Sequence, residues 1–211
     1  MVSIRSLGAA LLIAGSGAVV RAADTNADTQ AFIAHQAATQ TFEADLRQTF
    51  HWTIPPHHVE SIGHISYRAP GWLAIVLTNP VPELVLVRDG VLYSRRGNKP
   101  PAKYKSDVRN GKPTQNVQFL LGFFQNGCTN FAGLFNVHTT YRGDSHLGTL
   151  LPKHAAQMFP LRSVDNVIEW PSMDVRSMRI GLIFGSYISY DFSNPRRNQP
   201  LDARVFEVPQ P

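Results

Sequence analysis

The sequence predicts an α+β fold in which a long, curved antiparallel sheet carries a few apolar helices on its concave face. Three observations lead to this prediction: strand-like segments with a period of two, turn residues a few positions apart between them, and one apolar stretch with helical spacing. Strands joined by such short turns pair as antiparallel hairpins, because parallel strands need longer crossovers. The helices need a surface for their apolar stripe, and the concave side of the sheet offers one.

Residues 1–23 are typical of an export signal. Arg5 supplies positive charge, residues 7–20 are mostly small and apolar, and Val20–Arg21–Ala22 offers a small-x-small cleavage site. We therefore predict a signal peptide at 1–23 and a single domain at 24–211. The apolar stretch is too short to span a bilayer, and no cysteine directly follows it for lipid attachment. An exported chain without a lipid anchor is expected.

The charge of the chain favours mild attraction to anionic membrane surfaces over nucleic-acid binding. The formal net charge is +5 at pH 7, and two of the basic residues, Arg5 and Arg21, belong to the predicted signal peptide. The remaining basic residues are scattered, for example at Arg95–Arg96 and Arg196–Arg197, without the aromatic-interleaved stripe of nucleic-acid binders. We expect no nucleic acid among the partners.

A helix followed by a long strand is predicted at the start of the mature chain. Asp28–Gln40 has apolar residues at loose helical spacing, and Asp24–Asp28 offers several capping side chains. The period then changes to two, with Gln48 as the one polar residue on the apolar face, until Pro55–Pro56 ends the strand. The apolar face of this strand consists of Phe42, Ala44, Leu46, Phe50, Trp52 and Ile54.

Further strands are predicted on both sides of a helical insert. Gly127 can end the helix of the insert, Phe131–Phe135 is an apolar stretch that can extend it, and one or two helical turns are expected at Lys153–Phe159. The apolar residues at helical spacing in the insert are Val117, Leu120, Leu121 and Phe124. The predicted strands are Ser61–Arg68, Trp72–Thr78, Leu84–Arg88, Val91–Ser94, Ala102–Lys105, Val137–Arg142, His146–Leu151, Val167–Trp170, Met178–Phe184, Tyr187–Asn194 and Val205–Val208.

The sequence offers no convincing catalytic, metal or cofactor site. His57–His58 would point to opposite faces of an extended strand, so they make a poor chelate with His64 and Glu60. There is no Gly-x-Ser-x-Gly motif. Cys128, the only cysteine, has no evident base nearby and is expected to be a small buried apolar residue or to pair with another molecule. We expect a protein without enzymatic activity, cofactor or metal.

Several short motifs follow one another in a recognisable order. They are Phe42 to Gln48, Gly63–Arg68, Pro70, Leu73 to Leu77, Pro80 and Asp89–Gly90. Leu150–Leu151–Pro152–Lys153 and the closing segment Ser189–Pro211 complete the set. In this order and at this spacing, the motifs resemble those of the periplasmic lipoprotein carriers (LolA-like proteins), and the resemblance extends over nearly the whole mature chain.

The resemblance implies a fold and a function. The family fold is an incomplete (half-open) antiparallel β-barrel, here of about 10–11 strands, with helices covering the concave apolar face. Such a carrier binds acyl chains of lipoproteins in a hydrophobic cavity and shuttles them through the periplasm from the inner to the outer membrane. The implied partners are an acylated lipoprotein or lipid cargo, a releasing transporter of the inner membrane and an acceptor of the outer membrane. A monomer is expected.

The resemblance and the apolar pattern together indicate which residues line the acyl cavity. These are Phe42, Leu46, Phe50, Trp52, Leu73, Ile75, Leu77, Leu120 and Phe124. The alternative for each of them is an ordinary packed core. Trp72–Leu77 is apolar on both faces, so its second face is either covered by a helix or exposed as an apolar rim that receives a transporter.

Arg68 is the most specific polar candidate. It stands near the family's Arg-Pro turn, with Ala69 inserted before Pro70. The resemblance implies that it acts as a latch, donating hydrogen bonds to lid backbone while the cavity is empty. The alternative is a solvated arginine at the end of a strand.

Other functions stay open at this point. One is a module of the same fold that senses lipids or lipoproteins in the envelope, and another is an exported hydrolase with an unrecognised site. The region Ser106–Gly148 fits the family poorly. A specialised lipid or an acylated pigment is therefore an alternative cargo to bulk lipoproteins.

Overall fold

A computed structural model describes residues 25–105, 117, 120–124, 133–142, 144–155, 158 and 160–208. The predicted signal peptide at 1–23, Gly127 and Cys128 lie outside the described residues. The described part is an α+β fold with one eleven-stranded antiparallel sheet and helices packed against it, as the sequence predicts. No helix in this part is long and apolar enough to cross a membrane.

Two helices and eleven strands make up the described fold. The helices are α1 (Thr25–Ala37) and α2, of which Val117 and residues 120–124 are described. The strands are β1 (Thr41–Thr53), β2 (Pro56–Arg68), β3 (Trp72–Asn79), β4 (Glu83–Arg88), β5 (Val91–Arg96), β6 (Ala102–Lys105), β7 (Phe135–Arg142), β8 (Ser145–Pro152), β9 (Leu161–Glu169), β10 (Val175–Leu182) and β11 (Tyr187–Arg197).

The sheet consists of two meanders joined side by side. The spatial order is β6–β5–β4–β3–β2–β1–β11–β10–β9–β8–β7, so the first and last strands of the chain pair at the centre. The helical insert between β6 and β7 separates the meanders in sequence, as predicted. Among the described residues no pairing joins β6 to β7, and the sheet stays open, which confirms the half-open barrel.

The β1–β2 hairpin forms the middle of the sheet. The two strands pair without interruption from Thr41 opposite Arg68 to Thr53 opposite Pro56. Gly63 of β2 lies so close to β3 that a Cβ at this position would be 1.9 Å from the carbonyl oxygen of Val76, so only glycine fits. Because pairing with β1 continues to Thr53, β2 begins at Pro56, earlier than the predicted Ser61.

The two faces of the sheet are covered by different parts of the chain. The concave face carries the main core, to which α1 contributes Phe32 and α2 contributes Leu120, Phe123 and Phe124. A second cluster on the convex face consists of Ala74, Leu86 and Phe206, with Trp72, Leu84 and Tyr93 packed against it. The second face of β3 is thus partly covered by the C-terminal segment instead of an α-helix, while Val76 stays exposed.

The predicted strand Val205–Val208 is wrong. Ala203–Phe206 forms a 3₁₀ helix, and the side chain of Asp202 caps it by accepting a hydrogen bond of 3.0 Å from the backbone N–H of Arg204. The apolar residues that indicated a strand, Val205, Phe206 and Val208, instead pack against the sheet from this segment. Phe206 packs on β3 and β4, and its ring lies 5.7 Å from that of Trp72.

Several predicted boundaries also differ from the structure. α1 spans Thr25–Ala37 instead of Asp28–Gln40. β9 begins at Leu161 instead of Val167. The prediction placed the start too late because the buried Asn166 interrupts the alternation of apolar and polar residues. Phe135 starts β7 and does not extend a helix. At Lys153–Phe159 the described residues form no regular helix, only a turn in which the N–H of Met158 donates to the carbonyl of His154.

Candidate acyl-binding face

Five aromatic side chains meet between the helices and the centre of the sheet. Phe124 of α2 stacks on Tyr67 of β2 with ring centroids 5.2 Å apart, and it lies 4.8 Å from Phe42 of β1. Phe123 contacts Phe124 and also Phe32 of α1, at 5.7 Å in each case. These tilted and offset contacts are favourable geometries for aromatic rings. They attach both helices to the concave face.

The structure places most of the predicted lining residues on this face. The fully buried ones are Phe42, Leu46, Leu73, Ile75, Leu77, Leu120 and Phe124. Phe50 is partly buried and packs against the same cluster. Trp52 does not join them, since it lies at the end of β1 and is 42% exposed. That any of these side chains contacts an acyl chain stays a prediction.

One region of the concave face is not filled by described side chains. Gly148 of β8 pairs with Asn166 of β9, and a Cβ placed on Gly148 would meet nothing within 4 Å in the described part of the chain. The Oδ1 atom of Asn166 is buried without a hydrogen-bond partner among the described residues. Such an atom is costly unless water or a ligand group satisfies it. The sequence analysis did not identify this pair. A glycine and an asparagine on otherwise apolar strand faces were the features that could have indicated it.

Gln48, the polar residue on the apolar face of β1, has a buried partner. It lies opposite Tyr190 of β11, and both residues are buried. Burial raises the pKa of Tyr190 to about 12, and burial also raises the pKa of Tyr67. Both phenols are therefore neutral at physiological pH, and the concave face presents them as hydrogen-bonding groups without charge.

Arg197 fastens α1 to the sheet. Its Nη2 lies 3.2 Å from Oδ1 of Asp174, and its Nη1 donates to Oε1 of Gln36 at 3.4 Å and to the hydroxyl of Thr39. The Nε2 of Gln36 in turn donates to the carbonyl of Met173 at 3.2 Å. Burial lowers the pKa of Arg197, and the Asp174 carboxylate opposes that shift. This network was missed at the sequence level because its members are far apart in the chain.

His35 lies beside this network in α1. Its Nε2 is buried and has no hydrogen-bond partner among the described residues. Burial lowers the pKa of His35, the positive charge of Arg197 lowers it further, and Asp174 raises it. A neutral imidazole is therefore favoured where the helix meets the sheet.

Arg68 lies on the opposite side of the sheet from the helices. Its neighbour Tyr67 is buried on the concave face, whereas the guanidinium carbon of Arg68 is 5.2 Å from the ring centre of Trp72. Arg88 lies 4.4 Å from the same ring and donates to the carbonyl of Phe206 at 3.2 Å. Arg68 therefore contributes to the convex cluster in this structure, and its role as a latch stays a prediction.

The histidines near the β1–β2 turn make aromatic and polar contacts. His51 stacks on Tyr187 at 4.9 Å and lies 6.2 Å from His58. His64 places Nδ1 2.9 Å from a carboxylate oxygen of Asp45. In the part of the chain that is described, no group of three or more His, Cys, Asp or Glu could hold a metal ion.

Comparisons of the sequence and of the fold give different results. No family model matches the sequence, and no curated protein matches it. Solved structures do share the fold. An uncharacterised conserved protein from Thermus thermophilus is similar with a TM-score of 0.52 at 4% identity, over 88% of this chain and 94% of that one.

MucB is a second similar structure. In the Pseudomonas aeruginosa MucA/MucB complex, the likeness has a TM-score of 0.51 at 10% identity over 86% of this chain, and it spans only 60% of the MucB-complex chain. A LolA superfamily protein from Nitrosomonas europaea is also similar, with a TM-score of 0.43 at 10% identity, over 85% of this chain and 97% of that one. At identities of 4–10% the likeness concerns the fold alone.

Proposed function

We propose that this protein is a periplasmic carrier that binds acyl chains of a lipoprotein or a related lipid on the concave face of its sheet. The supporting observation is the construction of that face: an apolar sheet is covered by two helices, and no described side chain fills the space beside Gly148. The predicted signal peptide at 1–23 would deliver the domain at 24–211 to the periplasm. The carrier would receive cargo from an inner-membrane transporter, pass it to an outer-membrane acceptor, and perform no covalent chemistry.

Binding would replace aromatic contacts with acyl contacts. Phe123 and Phe124 of α2 now occupy the centre of the concave face, and an acyl chain that entered there would displace them. Each methylene of the acyl chain that is removed from water contributes about 0.8 kcal/mol to binding, so a long chain gains a large binding free energy. The cost of displacing α2 offsets part of that gain. The net binding free energy is then small enough for binding to be reversible, and the cargo can transfer to an acceptor that binds it more tightly. A latch role for Arg68 would require its guanidinium to leave Trp72 first.

Uptake of an environment-sensitive fatty-acid probe by the delipidated protein tests this proposal. The wild-type protein should give a saturable rise in fluorescence. Gly148→Leu should weaken uptake by about tenfold, because the new side chain occupies the open space on the concave face. Gly133→Leu is the matched control, since a Cβ there also meets nothing within 4 Å but the residue is exposed in the turn before β7.

Two outcomes of that experiment count against the proposal. Absence of uptake by the wild-type protein would remove acyl binding altogether. Saturable uptake that Gly148→Leu leaves unchanged would place the binding site elsewhere in the molecule. Circular dichroism of each variant separates both outcomes from misfolding.

The likeness to MucB favours one alternative, a sensing module of the same fold. A MucB structure similar to this chain was determined in complex with MucA, which makes a protein a candidate partner here. A sensor would bind a protein partner stoichiometrically, and lipid would alter that affinity. Retention of a stoichiometric protein by affinity purification from the envelope, with no bound lipid, would favour this alternative over the carrier.

A further inference from the structure

The exposed apolar side chains are concentrated at one end of the sheet. We define the rim as the turns after β1, β3, β5, β8 and β10 and residues 133–134, together with the three strand residues beside each. The described residues include nine exposed large apolar side chains, and seven of them belong to the rim. The most exposed of them are Ile54 and Phe184, and Trp52 lies two residues before Ile54. Among the described residues, the turns at the other end of the sheet and the three strand residues beside each carry no exposed large apolar side chain.

Trp52, Ile54 and Phe184 form one protruding patch. The backbone N–H of Thr53 donates to the hydroxyl of Ser186 at 3.2 Å, which ties the β1–β2 turn to the β10–β11 turn. Ile54 is 72% exposed and Phe184 is 68% exposed, so neither contributes to the core. Phe184 also has a φ of +57°, a conformation that bulky residues rarely adopt. An exposed aromatic residue in such a conformation suggests a role outside the fold itself.

The charge of the rim is predominantly positive. It contains six lysine or arginine residues: Arg95, Arg96, Lys99, Lys103, Lys153 and Arg162. The only carboxylate in the described rim is Glu83, whose Oε2 lies 3.8 Å from Nε of Arg96. The other end of the sheet is mixed, with Glu43, Asp89, Asp144, Glu169 and Asp174 among its arginines. Exposed apolar side chains and an excess of cations at the same end of the sheet complement an anionic lipid surface.

We infer that the rim docks on the surface of an anionic bilayer. Trp52, Ile54 and Phe184 enter the boundary between headgroups and acyl chains, and the lysine and arginine side chains of the rim contact anionic headgroups. The inference goes beyond the proposed function, because it concerns the outside of the molecule and does not require the concave face to bind a ligand.

Vesicle flotation with the full mature chain tests this inference. Vesicles of phosphatidylcholine containing phosphatidylglycerol should bind the protein, and vesicles of phosphatidylcholine alone should bind it much more weakly. Ile54→Asn and Phe184→Asn should each lower partitioning by about tenfold, since each removes a large apolar side chain from the contact. Ile62→Asn is the matched control, because Ile62 is also an exposed isoleucine but lies six residue pairs away from the β1–β2 turn along the hairpin.

Tryptophan fluorescence identifies the contact directly. In a variant with Trp72→Phe and Trp170→Phe, emission from Trp52 should shift to the blue on anionic vesicles and be quenched by lipids brominated near the headgroup. Gly148→Leu should retain vesicle binding, which separates this result from acyl uptake. Vesicle binding that Ile54→Asn and Phe184→Asn leave unchanged would overturn the inference. Absence of binding by the wild type would also overturn it, and capture of a protein by a photo-crosslinker placed at Ile54 would then indicate a protein contact at this patch.

Discussion

His35 shows how burial acts on a single residue of this protein. It lies in α1, where its buried Nε2 finds no hydrogen-bond partner among the described residues. Burial and the charge of Arg197 lower its pKa, although Asp174 opposes the shift. His146 stacks on Trp170 at 4.7 Å, and its pKa is also lowered, chiefly by burial. Both imidazoles therefore resist protonation in the folded state more than in the unfolded one.

We expect acid to destabilise the fold through these histidines. A base with a lowered pKa in the folded state binds a proton on unfolding, so stability falls as the pH drops below the ordinary value of 6.5. Urea unfolding at neutral pH and near about pH 5 should show this loss in the wild type. His35→Gln should lose less stability over the same interval. An equal loss in wild type and variant would show that His35 does not contribute.

At the scale of elements, the attachment of α1 depends on one of two adjacent arginines. Arg197 has a side chain that is only 13% exposed, and it links Asp174 of the β9–β10 turn to Gln36 and Thr39 at the end of the helix. Arg196 is 62% exposed and pairs with Glu43 at the surface. A partner removed from a buried pair leaves the other group unsatisfied, whereas an exposed pair is worth little.

We therefore expect Arg197→Met to cost about 2 kcal/mol of the free energy of unfolding. Arg196→Met should cost less than about 1 kcal/mol. Urea denaturation measures both values, and amide hydrogen exchange should show that α1 opens faster in Arg197→Met while β1 stays protected. If the two variants were equally stable and exchanged alike, the network around Arg197 would not hold the helix.

The elements that the sequence predicted well are those with local signals. Strict alternation from Phe42 to Ile54 indicated β1, and turn residues such as Asp89–Gly90 placed the hairpins. Phe206 misled the prediction, because its packing on β3 and β4 exists only in the folded chain. The contacts of Arg197 likewise join residues that are far apart in the chain. Periodicity along one segment carries no information about such contacts.

At the scale of the whole molecule, three surfaces have different compositions. The concave face carries the apolar core and both helices, the convex face carries a smaller cluster under the C-terminal 3₁₀ helix, and the rim carries exposed apolar tips and cations. We propose that these surfaces serve binding of acyl chains, stability and membrane contact, respectively. The binding of cargo on the concave face is the claim on which the carrier function depends.

Native mass spectrometry of the protein purified from its native source tests that claim most directly. We predict a monomer that carries one stoichiometric adduct with the mass of an acylated lipid or lipoprotein, and we predict that Gly148→Leu loses this adduct while Gly133→Leu keeps it. A wild-type protein that appears only at its own mass, and that gains no adduct when lipid is supplied, would contradict the account.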